Sequence, residues 1–333
     1  MNAISNVAII GAGMAGLACA TALTQAGVTV SLFDKGRRPG GRLATRRADG
    51  LMFDHGAQYA SAQQPEFTAL LERMRAAGVA APWDALEAER PRWVGIPGMS
   101  AIARFMADQL PPASCSLATE RHVAFVRRDA AGWHLRHLPA ATTRPGTVVD
   151  DGDQAGPFDA MLVALPSPQA GPLLAALGHR FAADADRAVI APCWAVMLAF
   201  ADPVDVPVML RPTNGPLAWV ARDSARPGRP AAPETWMLHA SPAWSEANLE
   251  RPAADVAADL LHEFRALTGA TAAPLHLSAH RWRYAQVTRA LDQSCLWDAD
   301  AGLGACGDWC LGPRVEAAYL SGRALATAVL SRT

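Results

Sequence analysis

Apolar positions along the chain follow two rhythms. Val7–Ile10 is a short apolar run, glycines stand at 11, 13 and 16, and helical spacing through Leu17, Thr21 and Leu23 leads to Gly27, a helix stop. Val28–Phe33 alternates and is β-branched, which predicts a second strand. Strand, tight turn, helix and strand in about 30 residues make a βαβ unit, whose helix covers one face of a parallel sheet. Further on, Pro97–Leu110 has helical periodicity at Ile102, Phe105, Met106 and Leu110. "RHVAFVRR" (121–128) and "GWHLRHL" (132–138) predict paired antiparallel strands, and 139–157, rich in Pro, Gly, Asp and Thr, predicts a surface loop. Phe158–Pro166 predicts a buried strand ending at the proline. Prolines and glycines crowd 203–235, with "TWMLHAS" (235–241) as a strand. Pro252–Gly269 predicts an amphipathic helix with Val256, Leu260, Leu261, Phe264 and Leu267 inward. A last helix begins near Val315 and repeats at Tyr319, Gly322, Leu325 and Val329; no internal repeat is found.

Composition narrows the function classes. The 333 residues are 51% hydrophobic with a formal net charge of −1, enough for a large core in one or two domains. Near-neutrality gives no electrostatic reason to expect nucleic acid or a membrane surface as partner. No apolar run is long enough to span a bilayer, and no basic stretch precedes the N-terminal apolar one. A cytoplasmic location is therefore expected. The six cysteines (19, 115, 193, 295, 306, 310) are scattered, without metal-ligand or disulfide spacing. Of the 30 basic residues only Lys35 is a lysine, so no lysine elsewhere is available for catalysis.

The chemistry begins at the first turn. Gly11-Ala12-Gly13-Met14-Ala15-Gly16 is GxGxxG between strand and helix: the first glycine for the turn, the second for close approach of a pyrophosphate, the third for helix–strand packing. The helix N-terminus presents free N–H groups to an anion. Asp34 ends the second strand, where a carboxylate can accept ribose hydroxyls, with Lys35 beside it. This spacing alone fits a nicotinamide or a flavin dinucleotide. "GRRPGGRLATRR" (36–47) adds Gly40–Gly41, which let backbone pass close to a cofactor, and Arg42, whose forked guanidinium can reach a pyrophosphate.

With the acid and the Gly-Gly-Arg, the chain resembles the flavin-containing amine oxidase superfamily, which implies FAD. In that superfamily a Gly-Asp precedes the final helix; here "ACGDWCLGPRVEAAYLSGRALA" (305–326) supplies Asp308 and the turn Arg314-Val315-Glu316. The resemblance implies that Asp308 contacts the ribityl-pyrophosphate region and that the helix N-terminus points at the flavin pyrimidine. A helix dipole placed there favours negative charge on reduced flavin by ~1 kcal/mol. The blocks "FDKGRRPGGRLATRR", "FDHGAQYA", "RWVGIPGMSAIAR", "TWMLHAS", "AHRWRYA" and "CGDWCLGPRVEAAYLSG" together look like the renalase family, especially its bacterial members, over nearly the whole chain. That resemblance implies a non-covalent FAD enzyme that oxidises off-pathway dihydro-isomers of NAD(P). Hydride goes to flavin, O2 becomes hydrogen peroxide, and NAD(P)+ is released. It also implies that Ala57 and Gln58 run along the isoalloxazine and that the strand of Val123 meets adenine.

Two other readings stand beside it, a flavin amine oxidase and a redox-silent FAD-binding scaffold. Monoamine oxidase-type enzymes usually place a lysine near flavin N5; the single lysine, in the adenosine motif, argues against that chemistry. Candidate substrate contacts are Gln58, Tyr59, Trp93, His239, Arg281, Trp282 and Tyr284. Gln58 either hydrogen-bonds flavin or substrate or packs a loop. Trp93 lines the site or the core, and His239 is equally open. Arg281 faces a substrate phosphate or solvent. As a strand, 281–284 is expected to turn Trp282 away from Arg281 and Tyr284. His55 reads as structural. Hydride transfer needs orientation more than a protein acid or base, so no nucleophile or general base is assigned.

The expected fold is α/β: an FAD-linked Rossmann domain formed by 1–80, 95–166 and 286–333, with a substrate domain on an antiparallel sheet with helices from 81–94 and 167–285.

Overall fold

The computed structural model describes residues 3–85, 89–142 and 152–331. The chain divides into two compact units, one of residues 1–41, 103–190 and 287–333, the other of 42–102 and 191–286.

The first unit is built on a six-stranded sheet ordered Leu296–Asp298, Leu303–Ala305, Ala160–Val163, Asn6–Ile10, Thr29–Phe33, Cys115–Ala118. All neighbours are parallel except the edge strand Leu296–Asp298. Val7 stands between Ala160 and Val30, and Ile9 between Leu162 and Leu32. The central strands Asn6–Ile10 and Ala160–Val163 are buried on both faces, which is why their apolar runs are continuous, while Thr29–Phe33, nearer the edge, alternates. The first helix, Met14–Gln25, is apolar nearly all round and made of small residues. It is buried accordingly, against the sheet and against the last helix, Val315–Leu330. The two helices approach closely at Gly322, where a Cβ would come within 2.0 Å of the Ala15 carbonyl oxygen. The predicted pair 121–128 and 132–138 forms the antiparallel strands Arg121–Asp129 and Gly132–Pro139.

The expected loop at 139–157 is corrected in part. Residues 143–151 lie outside the described residues, but Asp153–Phe158 is an edge strand paired with Gly132–Pro139. Its polar residues and Pro157 are tolerated because one side of the strand is unpaired and a bulge between Ala155 and Phe158 absorbs them.

The second unit carries a five-stranded sheet ordered Met209–Leu210, Leu217–Arg222, Glu234–Ala240, Val189–Phe200, His276–Arg289. The strand Val189–Phe200 shows why this sheet has two dry faces. Trp194, Val196, Leu198 and Phe200 join a core with Val256, Leu260 and Phe264 of helix Ala253–Thr268. Ala195, Met197 and Ala199 face the other way, onto Phe53 and Leu51 of the hairpin Arg46–Ala48/Leu51–Phe53.

The unit boundaries differ from the expected domain bounds at 42–80, 95–102, 167–190 and residue 286, and packing accounts for the two longest of these. Residues 42–80 group with the second unit because the 46–53 hairpin seals its sheet, and 95–102 go with them. Residues 167–190 group with the first, because Ala170, Leu174, Phe181 and Ala185 complete the core beneath the parallel sheet.

Candidate functional site

The first unit holds the glycine turn. Gly11 has φ +108°, and a Cβ there would lie 2.5 Å from the Ala164 carbonyl oxygen. A Cβ on Gly16 would lie 1.8 Å from the Gly11 carbonyl oxygen. Both are glycines for packing and conformation. Gly13 is different: it N-caps the first helix in extended backbone, and a Cβ there would meet nothing within 4 Å. The open side of the turn is thus at Gly13, beside a helix N-terminus with no side-chain cap and no acidic residue in its first turn. Asp34 closes the cradle from the neighbouring strand. Its Oδ2 accepts from the Ala12 N–H at 2.6 Å and its Oδ1 from the Gly36 N–H at 2.6 Å. Burial raises its pKa, opposed by those two N–H groups and by Lys35. Lys35 is exposed. Gly40 N–H donates to the Ala12 carbonyl at 2.8 Å, bringing Gly40–Gly41 over the turn. Open space, uncapped N–H groups and a carboxylate one strand away fit a dinucleotide.

Other cofactor candidates of this unit lie on three segments. Val123 is buried on the strand that starts where Arg121 N–H donates to the Asp34 carbonyl at 2.9 Å. Asp308 opens a short helix after Gly307. Arg314 N-caps the last helix without a side-chain cap, followed by Val315 and the buried Glu316. An acid in the first turn already answers part of the positive end of that helix.

In the second unit, Arg42 donates to the Ala285 carbonyl at 3.0 Å, and its own carbonyl accepts from the Ala57 N–H at 2.8 Å. One residue on, Gln58 is buried in a network that the sequence did not suggest. Asp54, Asp223, Arg226 and Arg229 form four interlocked ion pairs, each arginine with both acids, with side chains at most 2% exposed. Arg226 Nε pairs with Asp223, and Arg229 bridges Asp223 at 3.0 Å and Asp54 at 2.7 Å. Asp54 Oδ1 accepts from the Thr45 hydroxyl at 2.6 Å and from the Met99 N–H at 2.9 Å. Burial and the Asp223 charge raise the Asp54 pKa, against both arginines. Arg226 also donates to the backbone and side-chain oxygens of Gln58, with its guanidinium 4.3 Å above the Trp83 ring. Trp219 Nε1 donates to Gln58 Oε1 at 3.1 Å, while Gln58 Nε2 donates to the carbonyls of Asp54 and Gly56. The protein itself engages the whole Gln58 amide.

Gln58 leads to the sheet face. Its Nε2 is 3.4 Å from His239 Nε2, and His239 stands between Trp219 and Ala195 across the strands. Trp282 Nε1 donates to the His55 carbonyl at 2.8 Å. The rings of His55, His280 and Trp282 meet with centroids 4.6–5.0 Å apart. Burial drives His55 down to about 3, with help from His280, Arg46 and His239. Burial likewise drives His239 down to about 4 and lowers His280. Burial thus favours the neutral form of all three imidazoles.

The remaining candidates separate. Tyr59 joins this group through Trp219, with ring centroids 5.8 Å apart. Trp93 is buried and bridges Ala60 through backbone hydrogen bonds of 2.8 Å. Arg281 is turned the other way: it donates to Glu250 at 2.9 Å and the Leu249 carbonyl at 2.6 Å, over Trp194. The expected facing of 281–284 needs correction for Tyr284. Residues two apart on a strand share a face, as the His280–Trp282 ring contact shows, so Tyr284 goes with Trp282 and away from Arg281.

Comparison with known proteins gives the family. The model for flavin containing amine oxidoreductases matches residues 75–330, and that for an NAD(P)-binding Rossmann-like domain matches 9–74. Protoporphyrinogen oxidase 2 of Arabidopsis thaliana is 39% identical over 66 residues, 20% of this chain and 13% of that protein. Putrescine oxidase of Kocuria rosea is 38% identical over 69 residues, 21% of this chain and 14% of that protein. These matches therefore span only a small part of the relatives' length. Among solved structures, a provisionally assigned protoporphyrinogen oxidase from Exiguobacterium sp. 255-15 aligns over 99% of both chains with TM-score 0.76 and 13% identity. A putrescine oxidase with bound putrescine aligns over 98% of this chain and 99% of its own, with TM-score 0.70 and 14% identity. At such identities the likeness is one of fold. Among the described residues no helix is long and apolar enough to cross a membrane. With the family model spanning residues 75–330, most of its length, the chain belongs to the flavin-containing amine oxidoreductase family, a family of FAD-dependent oxidoreductases.

Proposed function

We propose that this protein is an FAD-dependent oxidase of dihydro-isomers of NAD(P), releasing NAD(P)+ and hydrogen peroxide. The observation that carries this reading is the charge of the sheet face around His239. Burial favours the neutral form of its three histidines, and its carboxylates, Asp54 and Asp223, are committed to Arg226 and Arg229. Such a face offers no anion to an alkylammonium and suits a neutral dihydropyridine ring. The motif blocks shared with renalases point the same way, as does the position of the single lysine beside Asp34.

In this reading Gly11–Gly16 and the first helix hold the pyrophosphate of FAD, and Asp34 the ribose. Val123 meets adenine, while Asp308 and the Arg314–Glu316 turn hold the flavin end. Bound FAD supplies the hydride acceptor and the route of electrons to O2. His239, Trp282 and Tyr59 orient the substrate ring, and Gln58 fixes that wall from behind. Non-covalent binding is supported by the thiols nearest the Asp308 segment. Burial raises Cys310 to about 12 and Cys306 well above its ordinary value, so neither is a ready thiolate.

A second reading, oxidation of an amine, is favoured by the family match itself and by the fold shared with a putrescine oxidase. Anaerobic mixing decides between them. Fast loss of flavin absorbance with a dihydro-NAD isomer, and none with putrescine, phenethylamine or spermine, is the expected result. The reverse pattern establishes the amine oxidase.

A further inference from the structure

Within the second unit, five arginines lie over aromatic rings among the described residues, and their other contacts divide them. Arg222 also pairs with Glu234, Arg226 with Asp223 and Arg281 with Glu250. Arg92 and Arg211 meet no carboxylate among the described residues. Both nevertheless converge on one side chain. Arg92 Cζ lies 4.7 Å from the centroid of the Tyr59 ring. Arg211 lies 4.8 Å over the Trp219 ring, and its terminal nitrogen donates to the Tyr59 hydroxyl at 3.3 Å. Arg211 is exposed and Arg92 half-buried, so both keep N–H groups in reach of solvent.

Two like charges gathered at one ring repel each other, and no carboxylate among the described residues pairs with either of them. Stacking fixes the plane of each guanidinium and leaves its edge to donate, the geometry in which arginine binds phosphate bidentately. The floor is rigid, because Trp219 is held by Gln58 and through it by Arg226. Trp219 also stands opposite His239 in the sheet, so the charged rim adjoins the neutral face described above. We propose that Arg92 and Arg211, set on Tyr59 and Trp219, are the subsite for the phosphate-bearing half of a dinucleotide substrate. This rests on the NAD(P) reading and deepens it: ring on the neutral face, pyrophosphate on the two arginines.

The test uses the FAD-loaded protein and the variants Arg92→Gln and Arg211→Gln, with Arg251→Gln as a control that removes an exposed arginine paired with Asp259. Binding of ADP-ribose and of inorganic pyrophosphate is measured by calorimetry, alongside oxidation of a dihydro-NAD isomer and of the phosphate-free dihydronicotinamide riboside. Each rim variant is expected to weaken ADP-ribose binding by roughly 10- to 100-fold, the loss typical of a charge-assisted contact. KM for the dinucleotide should rise with kcat unchanged, flavin content and riboside oxidation should stay as in the parent protein, and R251Q should behave like the parent. Wild-type affinity and KM in both rim variants, with dihydro-NAD oxidation intact, overturns the subsite and leaves the activity standing. Equal losses with the riboside also overturn it, since the arginines would then act on the ring. Inertness of the parent protein toward every dihydro-isomer sinks the activity and the subsite together.

Discussion

Arg226 donates to Gln58 twice, once at the backbone carbonyl and once at the side-chain oxygen, while its Nε is paired with Asp223. One buried guanidinium thus ties the 223–229 loop to the segment 54–58, which forms the wall beside His239.

Replacing Arg226 by Ala is therefore expected to leave Asp223 under-paired and the Gln58 oxygens short of donors. The loss should be about 3–5 kcal/mol, as for one partner removed from a buried pair. Urea unfolding followed by circular dichroism measures it, and a change under 1 kcal/mol would show the network to be slack.

The glycines of the turn should separate by role. Gly11→Ala meets the Ala164 carbonyl at 2.5 Å from a left-handed φ, and is expected to destabilise the protein by about 2 kcal/mol or more. Gly13→Ala has free space around its Cβ and should unfold within about 0.5 kcal/mol of the parent, yet release FAD more readily. Comparable stability losses in both would contradict the assignment of Gly13 to the cofactor side.

Asp34→Ala should weaken FAD retention by about 1.5–3 kcal/mol, the worth of a hydrogen bond to a charged group. Because the carboxylate also accepts from Ala12 and Gly36, Asp34→Asn is the sharper probe. It keeps an oxygen for one N–H but loses the charge. Fluorescence titration of apoprotein with FAD reads the constant; identical values for D34N and parent would take the acid off the ribose.

Acid should unfold the protein through its histidines. His55 is pushed down to about 3 and His239 to about 4, both from an ordinary 6.5, so the unfolded chain binds protons that the native one refuses. Their contribution is complete above about pH 6.5 and is lost as pH falls toward about 4 and then 3, at about 1.4 kcal/mol per pH unit for each histidine. Thermal midpoints between pH 7 and 4 should fall, and His239→Gln should flatten that fall. A slope unchanged by H239Q would mean the imidazole is protonated in the native state.

FAD should be released into the supernatant when the protein is denatured with acid or heat. Colour that stays with the precipitate would establish a covalent link and redirect attention to Cys306 and Cys310.

The nucleotide end was legible in the sequence because it is local. Strand, glycine turn, helix and acid fall within the stretch from Val7 to Asp34, where Gly11 and Gly16 have steric reasons that a pattern can carry and Gly13 keeps the turn open. The helix Ala253–Thr268 was legible for the same reason, Val256, Leu260, Leu261 and Phe264 of its apolar stripe forming its packing face, while Leu267, expected inward, is exposed in the last turn. The buried network was not. Asp54 and Asp223 are 169 residues apart, and charged residues give no periodic signal of burial. Asp54 lay inside the quoted "FDHG", and Asp223, Arg226 and Arg229 inside a stretch whose prolines and glycines read as loop. Gln58 was singled out for its place in a motif, while its role as a buried acceptor depended on Arg226, far along the chain. The Arg92–Tyr59–Arg211 rim escaped notice likewise, since three separate segments meet there.

The close contact of Gly322 with Ala15 has a consequence for biosynthesis. The helix that opens at the glycine turn emerges from the ribosome almost at once, yet the helix that covers it, and the strand Leu303–Ala305 of the same sheet, are made some 300 residues later. Until then the apolar first helix lacks the cover that the last helix gives it in the folded protein. Tight uptake of FAD is therefore expected only after the last helix has been made, and a chain stalled before Gly322 is expected to be colourless, however complete its glycine motif.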